Sequence, residues 1–296
     1  MTEKAQNLPQ AGIGILGGTG LYRIDGLEVI EKIDLDTPFG KASDSFIIGN
    51  LEGIRVAFLS RHGKGHHILP AEINYRANIY GFKMLGVERL ISVNSVGSLR
   101  EDFPPRDIVI PDQFFDRTHR KNSFFGEGAV AHVSLARPVC EQLAGVLAEA
   151  AGGLDISVHR GGTYICIEGP AFSTKAESNI YRSWGCDVIG MTAATEAKLC
   201  REAEICYAPM NLVTDYDVWH ESEEAVSVEM IMGNMSANIR NAKAVLKAAV
   251  KTLGSGREKE CGCGSALANC IVTREEVIPR ATKEKLRVII GKYIPV

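Results

Sequence analysis

Apolar runs of strand length alternate along this chain with longer segments in which apolar positions recur at helical spacing. This alternation is typical of an α/β sheet with helices on its faces. We predict strands over Gly12–Leu16, Phe46–Leu51, Ile54–Ser60, Arg89–Val93, Thr163–Ile167, Asp187–Gly190 and Ile205–Val213. Because most of these runs are continuously apolar, the sheet is expected to be largely parallel.

One connection in this sheet is too short for a crossover helix. Glu52-Gly53 joins Phe46–Leu51 to Ile54–Ser60. Only an antiparallel hairpin fits such a link. The expected fold class is therefore α/β, with a mixed central β-sheet flanked by helices.

Helical periodicity predicts the elements that cover the sheet. The predicted helices are Ile73–Leu85, Pro138–Ala151, Thr174–Trp184, Ala193–Ala203 and a long one over Ser227–Leu253. Ser173 or Thr174, followed by Glu177, provides a capping arrangement for the third helix.

The end of the long helix marks the expected boundary between the main domain and a C-terminal extension. Gly254-Ser255-Gly256 would end the helix, and the charged residues 257–260 would form a linker. We expect one domain over residues 1–253. The extension, residues 254–296, would pack on it with a short helix over Lys283–Tyr293.

Composition and charge narrow the function classes. With 296 residues, 45% of them hydrophobic and 23% charged, the chain can bury a full core. A net charge of -3 gives no general attraction to nucleic acid or to anionic membranes, so an anion site would have to be local. No apolar run approaches the roughly 20 residues that cross a bilayer. We therefore expect a cytoplasmic protein that binds small molecules.

The first candidate for chemistry is the run Gly17-Gly18-Thr19-Gly20, directly after the first predicted strand. Glycines let the backbone bend so that amides point at an anion, and the threonine hydroxyl adds a donor. The run predicts a phosphate loop, with a tight turn without ligand as the alternative. An overlapping match to the dinucleotide-binding fingerprint has its glycines inside the strand instead of in the turn after it, which disfavours a nicotinamide site.

Polar residues follow four other predicted strands. They are Arg61-His62, Asn94-Ser95, Met191-Thr192 and Thr214-Asp215-Tyr216-Asp217. Each alone is compatible with a solvated loop or an ordinary strand end. Ligands of open α/β sheets bind outside the carboxyl ends of strands, so these residues together predict one anion site and one acidic site. Arginine suits the anion site because its planar fork binds phosphate with two hydrogen bonds.

Eight cysteines are spread too thinly along the chain for a disulfide scaffold. Cys166, Cys186 and Cys206 lie in or beside apolar runs and are predicted to be buried thiols. Cys261 and Cys263 stand out, because a thiol–disulfide protein or a metal-binding protein could be built on them. Their signal is weak, since two cysteines in a glycine-rich linker lack two further ligands at the usual zinc spacing.

Six motifs carry a resemblance to a known family. In chain order they are Gly17-Gly18-Thr19-Gly20-Leu21, Asp36-Thr37-Pro38-Phe39-Gly40, Arg61-His62-Gly63, Ile167-Glu168-Gly169-Pro170 with Phe172-Ser173, Gly190-Met191-Thr192 with Glu196, and Thr214-Asp215-Tyr216-Asp217. Together they resemble the trimeric purine nucleoside phosphorylases, and within that family the methylthioadenosine phosphorylase branch. The resemblance runs from Ile13 to about Leu253 and is looser beyond. Resemblance to thermophilic members implies that Cys261 and Cys263 can form a short redox-active disulfide.

The resemblance implies a role for each matching position. Phosphate would be held by Thr19, Arg61, His62, Asn94, Ser95 and Thr192. The nucleoside would contact Phe172, Met191, Asp215, Tyr216 and Asp217. His132 would reach the sugar from a neighbouring subunit of a trimer or a dimer of trimers. Ser173 and Val228 would set specificity, and no residue would bind a metal.

The implied reaction is the reversible phosphorolysis of S-methyl-5'-thioadenosine to adenine and 5-methylthioribose 1-phosphate, in purine and methionine salvage. Inorganic phosphate would be a co-substrate, with no metal or organic cofactor. Bond cleavage leaves positive charge on the sugar, which phosphate stabilises, and negative charge on the purine, which a protonated Asp215 neutralises. Such a carboxyl group needs a pKa raised by burial.

Two positions favour the methylthio substrate over other nucleosides. Asp215 stands where enzymes acting on 6-oxopurines carry an asparagine, and an acceptor there suits a 6-amino group. Val228 aligns with a histidine that binds the 5'-hydroxyl in ordinary nucleoside enzymes. A methylthioinosine or general purine nucleoside phosphorylase is the alternative. Ala171 and Asn94 depart from the branch, which often has arginine and threonine or serine there, and both departures affect the phosphate region.

Overall fold

The computed structural model describes residues 8–18, 21, 24–154, 156–220, 228–256 and 261–295, with the backbone alone over 228–232. The strands described are β1 (Ile13–Gly17), β2 (Glu28–Ile33), β3 (Asp36–Thr37), β4 (Gly40–Lys41), β5 (Phe46–Leu51), β6 (Ile54–Ser60), β7 (Arg89–Ser98), β8 (Ile108–Ile110), β9 (Gln113–Asp116), β10 (Val158–Arg160), β11 (Thr163–Cys166), β12 (Val188–Gly190) and β13 (Cys206–Asp215). The helices are α1 (Tyr75–Met84), α2 (Glu141–Gly152), α3 (Lys175–Ser183), α4 (Ala193–Glu202), α5 (Val228–Gly254) and α6 (Arg280–Ile290).

A mixed sheet forms the centre of the molecule, as predicted. Its main strand order is β10-β8-β13-β7-β1-β6-β5-β2. The central strands β13, β7, β1 and β6 run parallel, and Ile13 lies beside both Val56 and Arg89. β5 and β6 form the predicted antiparallel hairpin, in which Leu51 pairs with Ile54.

Side chains alternate between the two faces of the sheet and build a core on each. On β1, Ile13 and Ile15 belong to the cluster that α2 and α5 cover. Leu16 belongs to the opposite cluster, which α1, α4 and α6 cover. All of β1 is buried, as expected for a strand with helices on both sides.

β7 joins two parts of the sheet at its carboxyl end. Its residues 89–92 pair with β1 and its residues 89–97 with β13, whereas Gly97 and Ser98 also pair antiparallel with β12. β12 also pairs with β11, and β11 pairs with β9. The ends of β7, β12 and β13 therefore meet at one place, where the strand directions diverge.

Two strands continue beyond their predicted ends, β7 to Ser98 and β13 to Asp215. Asn94 and Ser95 therefore lie within a strand and not, as predicted, in the loop after it. The polar side chain is tolerated there because Asn94 Nδ2 donates to Asn211 Oδ1 on β13 at 3.0 Å.

The apolar pattern does not predict β2, β8, β9 or β10. β2 lies at the edge of the sheet and is mostly exposed, and β8 and β10 have three residues each. Strands that are exposed or very short carry too little apolar periodicity to be recognised in a sequence.

The helices lie close to their predicted positions. α3 has the predicted cap, in which Thr174 Oγ1 accepts from the Glu177 N–H and the Glu177 carboxylate accepts from the Thr174 N–H. α2 begins after Cys140, and not at Pro138, because the Cys140 N–H donates to Tyr207 O of β13 at 2.8 Å. Within the described ranges, none of the helices is both long and apolar enough to cross a membrane.

The C-terminal extension buries apolar side chains in the cluster that α1 helps to build. Leu286 and Ile290 of α6 belong to this cluster. α6 begins at Arg280, ahead of its predicted start at Lys283. The predicted linker, residues 257–260, lies outside the described residues.

Candidate active site

A cavity of about 510 Å³ opens where β1, β6, β7, β12 and β13 end. This volume is in the range of small-molecule sites. The predicted site residues that line it are Arg61, His62, Asn94, Ser95, Phe172, Ser173, Met191, Thr192, Asp215 and Asp217. Residues from several strand ends therefore line one cavity.

The glycine-rich run is described only in part. Gly17 is the last residue of β1, and Gly18 lines the cavity. Thr19 lies outside the described residues, and the side chain of Val228 in α5 is not described. Gly14 lies inside β1 and not in the turn after it, as predicted in the argument against a nicotinamide site.

Two predicted substrate contacts do not line the cavity. The Tyr216 ring stacks on His220, with centroids 4.6 Å apart, and its hydroxyl donates to Glu101 O at 3.2 Å. His132 is exposed, and its N–H donates to Cys270 O at 2.9 Å. Its predicted contact was across a subunit boundary and stays a prediction.

Arg61 is buried beneath the cavity in an ion pair that sequence reasoning did not predict. Its Nε donates to Glu196 Oε1 at 2.5 Å, its Nη2 to Ser92 Oγ at 2.7 Å and its Nη1 to Val93 O at 3.0 Å. Arg61 and Glu196 are 1% and 0% exposed. A Cβ at Gly18 would lie 2.8 Å from Arg61 Nη1, so glycine lets the loop pass over the guanidinium. The Arg61–Glu196 pair is neutral overall. An anion in the cavity above it would therefore be bound by hydrogen bonds more than by net charge.

Glu196 is the main functional candidate whose role the sequence analysis missed. Besides Arg61, its Oε2 accepts from Ser92 Oγ at 2.7 Å and from the Tyr207 hydroxyl at 2.8 Å. α4 carries it in the stretch Ala193–Ala197, which is otherwise small and uncharged. A lone carboxylate in such a stretch is the signal that could have indicated a buried partner, because a buried charge has to be paired.

Asn94 and Thr192 belong to a buried chain of hydrogen bonds at the cavity wall. Thr192 Oγ1 donates to Asn94 Oδ1 at 3.2 Å, and Asn94 donates to Asn211 as described above. Asn211 Nδ2 in turn donates to a backbone carbonyl of β8 at 3.1 Å. The neighbouring Ser95 hydroxyl lies 3.6 Å from Met235 Sδ of α5. These hydrogen bonds fix Thr192 at the surface of the cavity.

His62 is neutral near pH 7, and its hydrogen bond fixes the tautomer. Burial lowers the pKa of His62 to about 4, with a further contribution from the positive charge of Arg61. Its Nδ1 lies 2.9 Å from Ile68 O. Because a carbonyl oxygen can only accept, the ring proton is on Nδ1, and Nε2 is an acceptor. His62 can therefore accept a hydrogen bond from a protonated ligand oxygen.

The acidic end of the cavity is built by the last residues of β13. Asp215 Oδ2 accepts from the Thr214 hydroxyl at 2.6 Å, and Oδ1 accepts from the Asp217 N–H at 2.8 Å. β7 approaches closely, since a Cβ at Gly97 would lie 3.0 Å from Asp215 Oδ1. Asp215 is thus buried and held in one orientation.

Asp217 lies beside it with unsatisfied hydrogen-bonding capacity. It is buried, lines the cavity and has a positive φ of 52°. Burial raises the pKa of Asp217. Its Oδ2 has no hydrogen-bond partner among the described residues. A buried oxygen of this kind is suited to a ligand contact.

Between these ends the cavity wall is mostly apolar. Its apolar members include Ile68, Leu69, Pro70, Val96, Ile167, Pro170, Phe172, Ile189, Met191 and Met235. Phe172 is 47% exposed, so it lies at the opening of the cavity. Ser173 is buried, and its hydroxyl has no partner within the described part of the chain.

Arg120 orders the segment that carries Met191, and no sequence motif indicated it. Its Nη1 donates to Met191 O at 2.5 Å and to the Tyr75 hydroxyl at 2.6 Å. Its Nε donates to Glu168 Oε1 at 2.8 Å. Arg120 therefore fixes part of the apolar wall from behind.

Known proteins are similar to this chain in sequence and in fold. The profile of the Phosphorylase superfamily matches residues 12–251. The S-methyl-5'-thioadenosine phosphorylase of Koribacter versatilis (strain Ellin345) is 54% identical over 285 residues, covering 96% of this chain and 97% of that relative.

Solved structures of similar proteins match the fold of this chain over nearly its whole length. A methylthioadenosine phosphorylase sourced from an antarctic soil metagenomic library has a TM-score of 0.90 at 46% identity, covering 95% of this chain and 99% of that one. Methylthioadenosine phosphorylase from Schistosoma mansoni in complex with adenine has a TM-score of 0.81 at 31% identity, covering 95% and 98%.

Proposed function

This chain belongs to the phosphorylase superfamily, and on that premise we propose that it catalyses the reversible phosphorolysis of S-methyl-5'-thioadenosine. The products are adenine and 5-methylthioribose 1-phosphate, for purine and methionine salvage. The observation that carries the proposal is the cavity, which has hydrogen-bonding groups at one end, two buried aspartates at the other and an apolar wall between them. The relatives compared above carry the same activity in their names.

Phosphate is assigned to the end of the cavity beside Gly18. Ser95 supplies a hydroxyl group there, and the Thr192 hydroxyl, which donates to Asn94 in this structure, would turn to donate to the anion. Arg61 Nη1 carries a second N–H beyond the one that Val93 O accepts. The resemblance adds the Thr19 hydroxyl. Hydroxyl donors and the paired Arg61 bind an anion through hydrogen bonds, and no protein charge is left buried without a partner.

We assign to His62 the binding of the protonated oxygen of phosphate. Its Nε2 accepts, and a monohydrogen phosphate presents one P–OH group that can donate. The other phosphate oxygens then face the hydroxyl groups of Ser95 and Thr192. This arrangement orients one oxygen toward the sugar carbon that it attacks.

The purine is assigned to the end that Asp215 and Asp217 form. Both Asp215 oxygens already accept hydrogen bonds, which fixes the carboxyl group for contact with the base. The raised pKa of Asp217 favours a proton within the pair. Asp215 is therefore proposed as the group that passes a proton to the purine, with Asp217 completing the hydrogen bonds to the base.

The reaction breaks one bond and forms one. The C–N bond between sugar and purine breaks, its electrons go to the purine, and the aspartate pair supplies a proton to the departing base. A phosphate oxygen bonds to the sugar carbon and gives the 1-phosphate. Phosphate is a co-substrate, and the proposed steps use no metal or organic cofactor.

Substrate selection is assigned to both ends of the nucleoside. Asp215 accepts from a 6-amino group, which favours adenine. The resemblance assigns Val228 to the 5' position, where an apolar residue suits a methylthio group, and Met235 and Phe172 add apolar surface to the cavity. The Ser173 hydroxyl, which lacks a partner among the described residues, is available to the substrate.

An oligomer, a trimer or a dimer of trimers, completes the proposal. Exposed apolar side chains on one surface support it, since Phe115 and Trp184 are 42% and 56% exposed with ring centroids 5.5 Å apart. His132 of the partner subunit would reach the sugar. Tyr216 would act indirectly, by packing on Trp219 behind the aspartates.

Two further assignments concern the whole chain. Residues 1–253 would form the phosphorylase domain and residues 254–296 an extension packed on it, which the buried side chains of α6 support.

We place the enzyme in the cytoplasm. Cys166, Cys186 and Cys200 support this location, because free thiols suit a reducing compartment.

Comparing substrates at saturating phosphate tests the proposal. We expect kcat/KM for methylthioadenosine to exceed that for methylthioinosine by roughly a hundredfold, because the 6-carbonyl oxygen of methylthioinosine only accepts and leaves Asp215 without its donor. Adenosine should be turned over less efficiently than methylthioadenosine. A preference for methylthioinosine or inosine would instead identify a 6-oxopurine phosphorylase.

A further inference from the structure

Four cysteines from three parts of the chain meet far from the cavity. The Sγ atoms of Cys140, Cys206, Cys261 and Cys263 all lie within 4.8 Å of one another. Cys140 precedes α2, Cys206 begins β13, and the other two lie at the start of the extension. The sequence had indicated that Cys261 and Cys263 lack two further ligands. The fold brings Cys140 and Cys206 beside them, at positions that spacing along the chain did not indicate.

The cluster lies at the opposite end of β13 from Asp215. β13 has ten residues, so the two sites are about 30 Å apart at the usual rise of a strand. The cysteines therefore take no part in the proposed reaction. Their convergence needs a separate explanation.

The spacing of the sulfur atoms fits tetrahedral metal coordination. Zinc–thiolate bonds of about 2.3 Å place the corners of a tetrahedron about 3.8 Å apart. Cys206 Sγ and Cys261 Sγ are 3.2 Å apart, and the other pairs lie within 4.8 Å. A disulfide needs about 2.05 Å between its sulfurs. All four cysteines are thiols in this structure.

The backbone between Cys261 and Cys263 brings both of these cysteines into the cluster. Residues Gly262–Ser265 form a 3-10 turn, and Cys261 immediately precedes it. The turn folds Cys263 inward, where it is 7% exposed, while Cys261 stays exposed. Cys140 is also buried, and Cys206 is half-buried. One side of the cluster is thus open to an entering ion, and the other is closed by protein.

One positive side chain contacts a sulfur atom of the cluster, and a second contacts the turn that carries Cys263. Arg201 Nη1 donates to Cys263 Sγ at 3.8 Å. Lys292 Nζ donates to the backbone oxygen of Gly264, in the same turn, at 2.7 Å. Four thiolates around a divalent ion carry a net charge of -2. Arg201 is placed to offset part of that charge.

We propose that Cys140, Cys206, Cys261 and Cys263 form a structural tetrathiolate site for Zn²⁺ that fastens the C-terminal extension to the main sheet. Binding converts four thiols and one Zn²⁺ into a zinc tetrathiolate and releases four protons, with no oxidant or reductant. Soft thiolate ligands in a closed tetrahedral set favour Zn²⁺ over Mg²⁺ or Ca²⁺. The site ties the segment that follows α5 to α2 and β13.

Metal content of the full-length protein tests the proposal directly. Protein purified with a non-metal reductant and no chelator should contain about one zinc ion per chain by elemental mass spectrometry. After zinc removal, Co²⁺ should bind with the visible absorption of a tetrahedral thiolate complex. Neither measurement depends on a variant. Reduced protein that binds neither Zn²⁺ nor Co²⁺ would overturn the proposal.

Single substitutions locate the ion. Cys261→Ser changes an exposed ligand and should weaken Zn²⁺ binding, measured by competition with a chromophoric chelator, by at least ~100-fold. Cys270→Ser is the matched control, because Cys270 lies in the same extension outside the cluster and its thiol donates to Ala266 O. Equal zinc affinity in both variants would overturn the assignment. Removing zinc should also speed hydrogen exchange in residues 261–295 without abolishing adenine release.

Discussion

Asp215→Asn should lower kcat/KM for methylthioadenosine by roughly a hundredfold or more. The substitution keeps the volume of the side chain but removes the group that gives a proton to the purine and accepts from its 6-amino group. Loss of a general acid, or of the partner of a buried polar group, costs about this much. Activity on methylthioinosine should fall less or rise, because an amide can donate to a 6-carbonyl oxygen.

The ratio of kcat/KM for the two substrates, in wild type and variant, is the quantity to measure. The KM for phosphate serves as the control, since Asp215 lies at the purine end of the cavity and should leave that constant nearly unchanged. A ratio that the substitution does not move, in a folded protein that still binds phosphate, would mean that Asp215 does not recognise the base.

Glu196→Ala should lower the free energy of unfolding by about 3–5 kcal/mol, the usual effect of leaving a buried charge without its partner. The substitution leaves the Arg61 guanidinium, which is 1% exposed, without the carboxylate that accepts from its Nε. It also removes the acceptor of the Ser92 and Tyr207 hydroxyls. Arg61→Ala leaves the buried Glu196 carboxylate without its partner in the same way. Loss of phosphate binding in that variant would therefore also reflect destabilisation of the protein.

Urea unfolding at one fixed protein concentration measures this effect, because assembly would otherwise shift the apparent stability. Asp102→Ala is the matched control. Asp102 pairs with Arg100 at 2.6 Å, but the two side chains are 62% and 45% exposed, so its loss should cost less than about 1 kcal/mol. Equal destabilisation by the two substitutions would show that the Arg61–Glu196 pair has no special importance for stability.

The elements that the sequence predicted are those whose causes lie close together along the chain. The β5–β6 hairpin follows from the short link at Glu52-Gly53, and the start of α3 follows from Thr174 and Glu177. The position of the cavity follows from polar residues near the ends of parallel strands, a rule of topology that needs no side-chain detail.

What the sequence left unpredicted depends on contacts between distant residues. Arg61 and Glu196 are 135 positions apart, and neither shows its partner locally. Cys140 is also far along the chain from Cys261 and Cys263, so their convergence appears only in the fold. Asn94 was assigned to a loop because its partner, Asn211, lies on another strand.

Phosphate-dependent product formation tests the central claim most directly. Purified enzyme would be incubated with methylthioadenosine, with and without inorganic phosphate, and adenine and sugar products would be quantified together. We predict that adenine release depends on phosphate and that each adenine is accompanied by one 5-methylthioribose 1-phosphate. Adenine release at the same rate without phosphate, together with free 5-methylthioribose, would show that water attacks the sugar and would contradict the assignment of a phosphorylase.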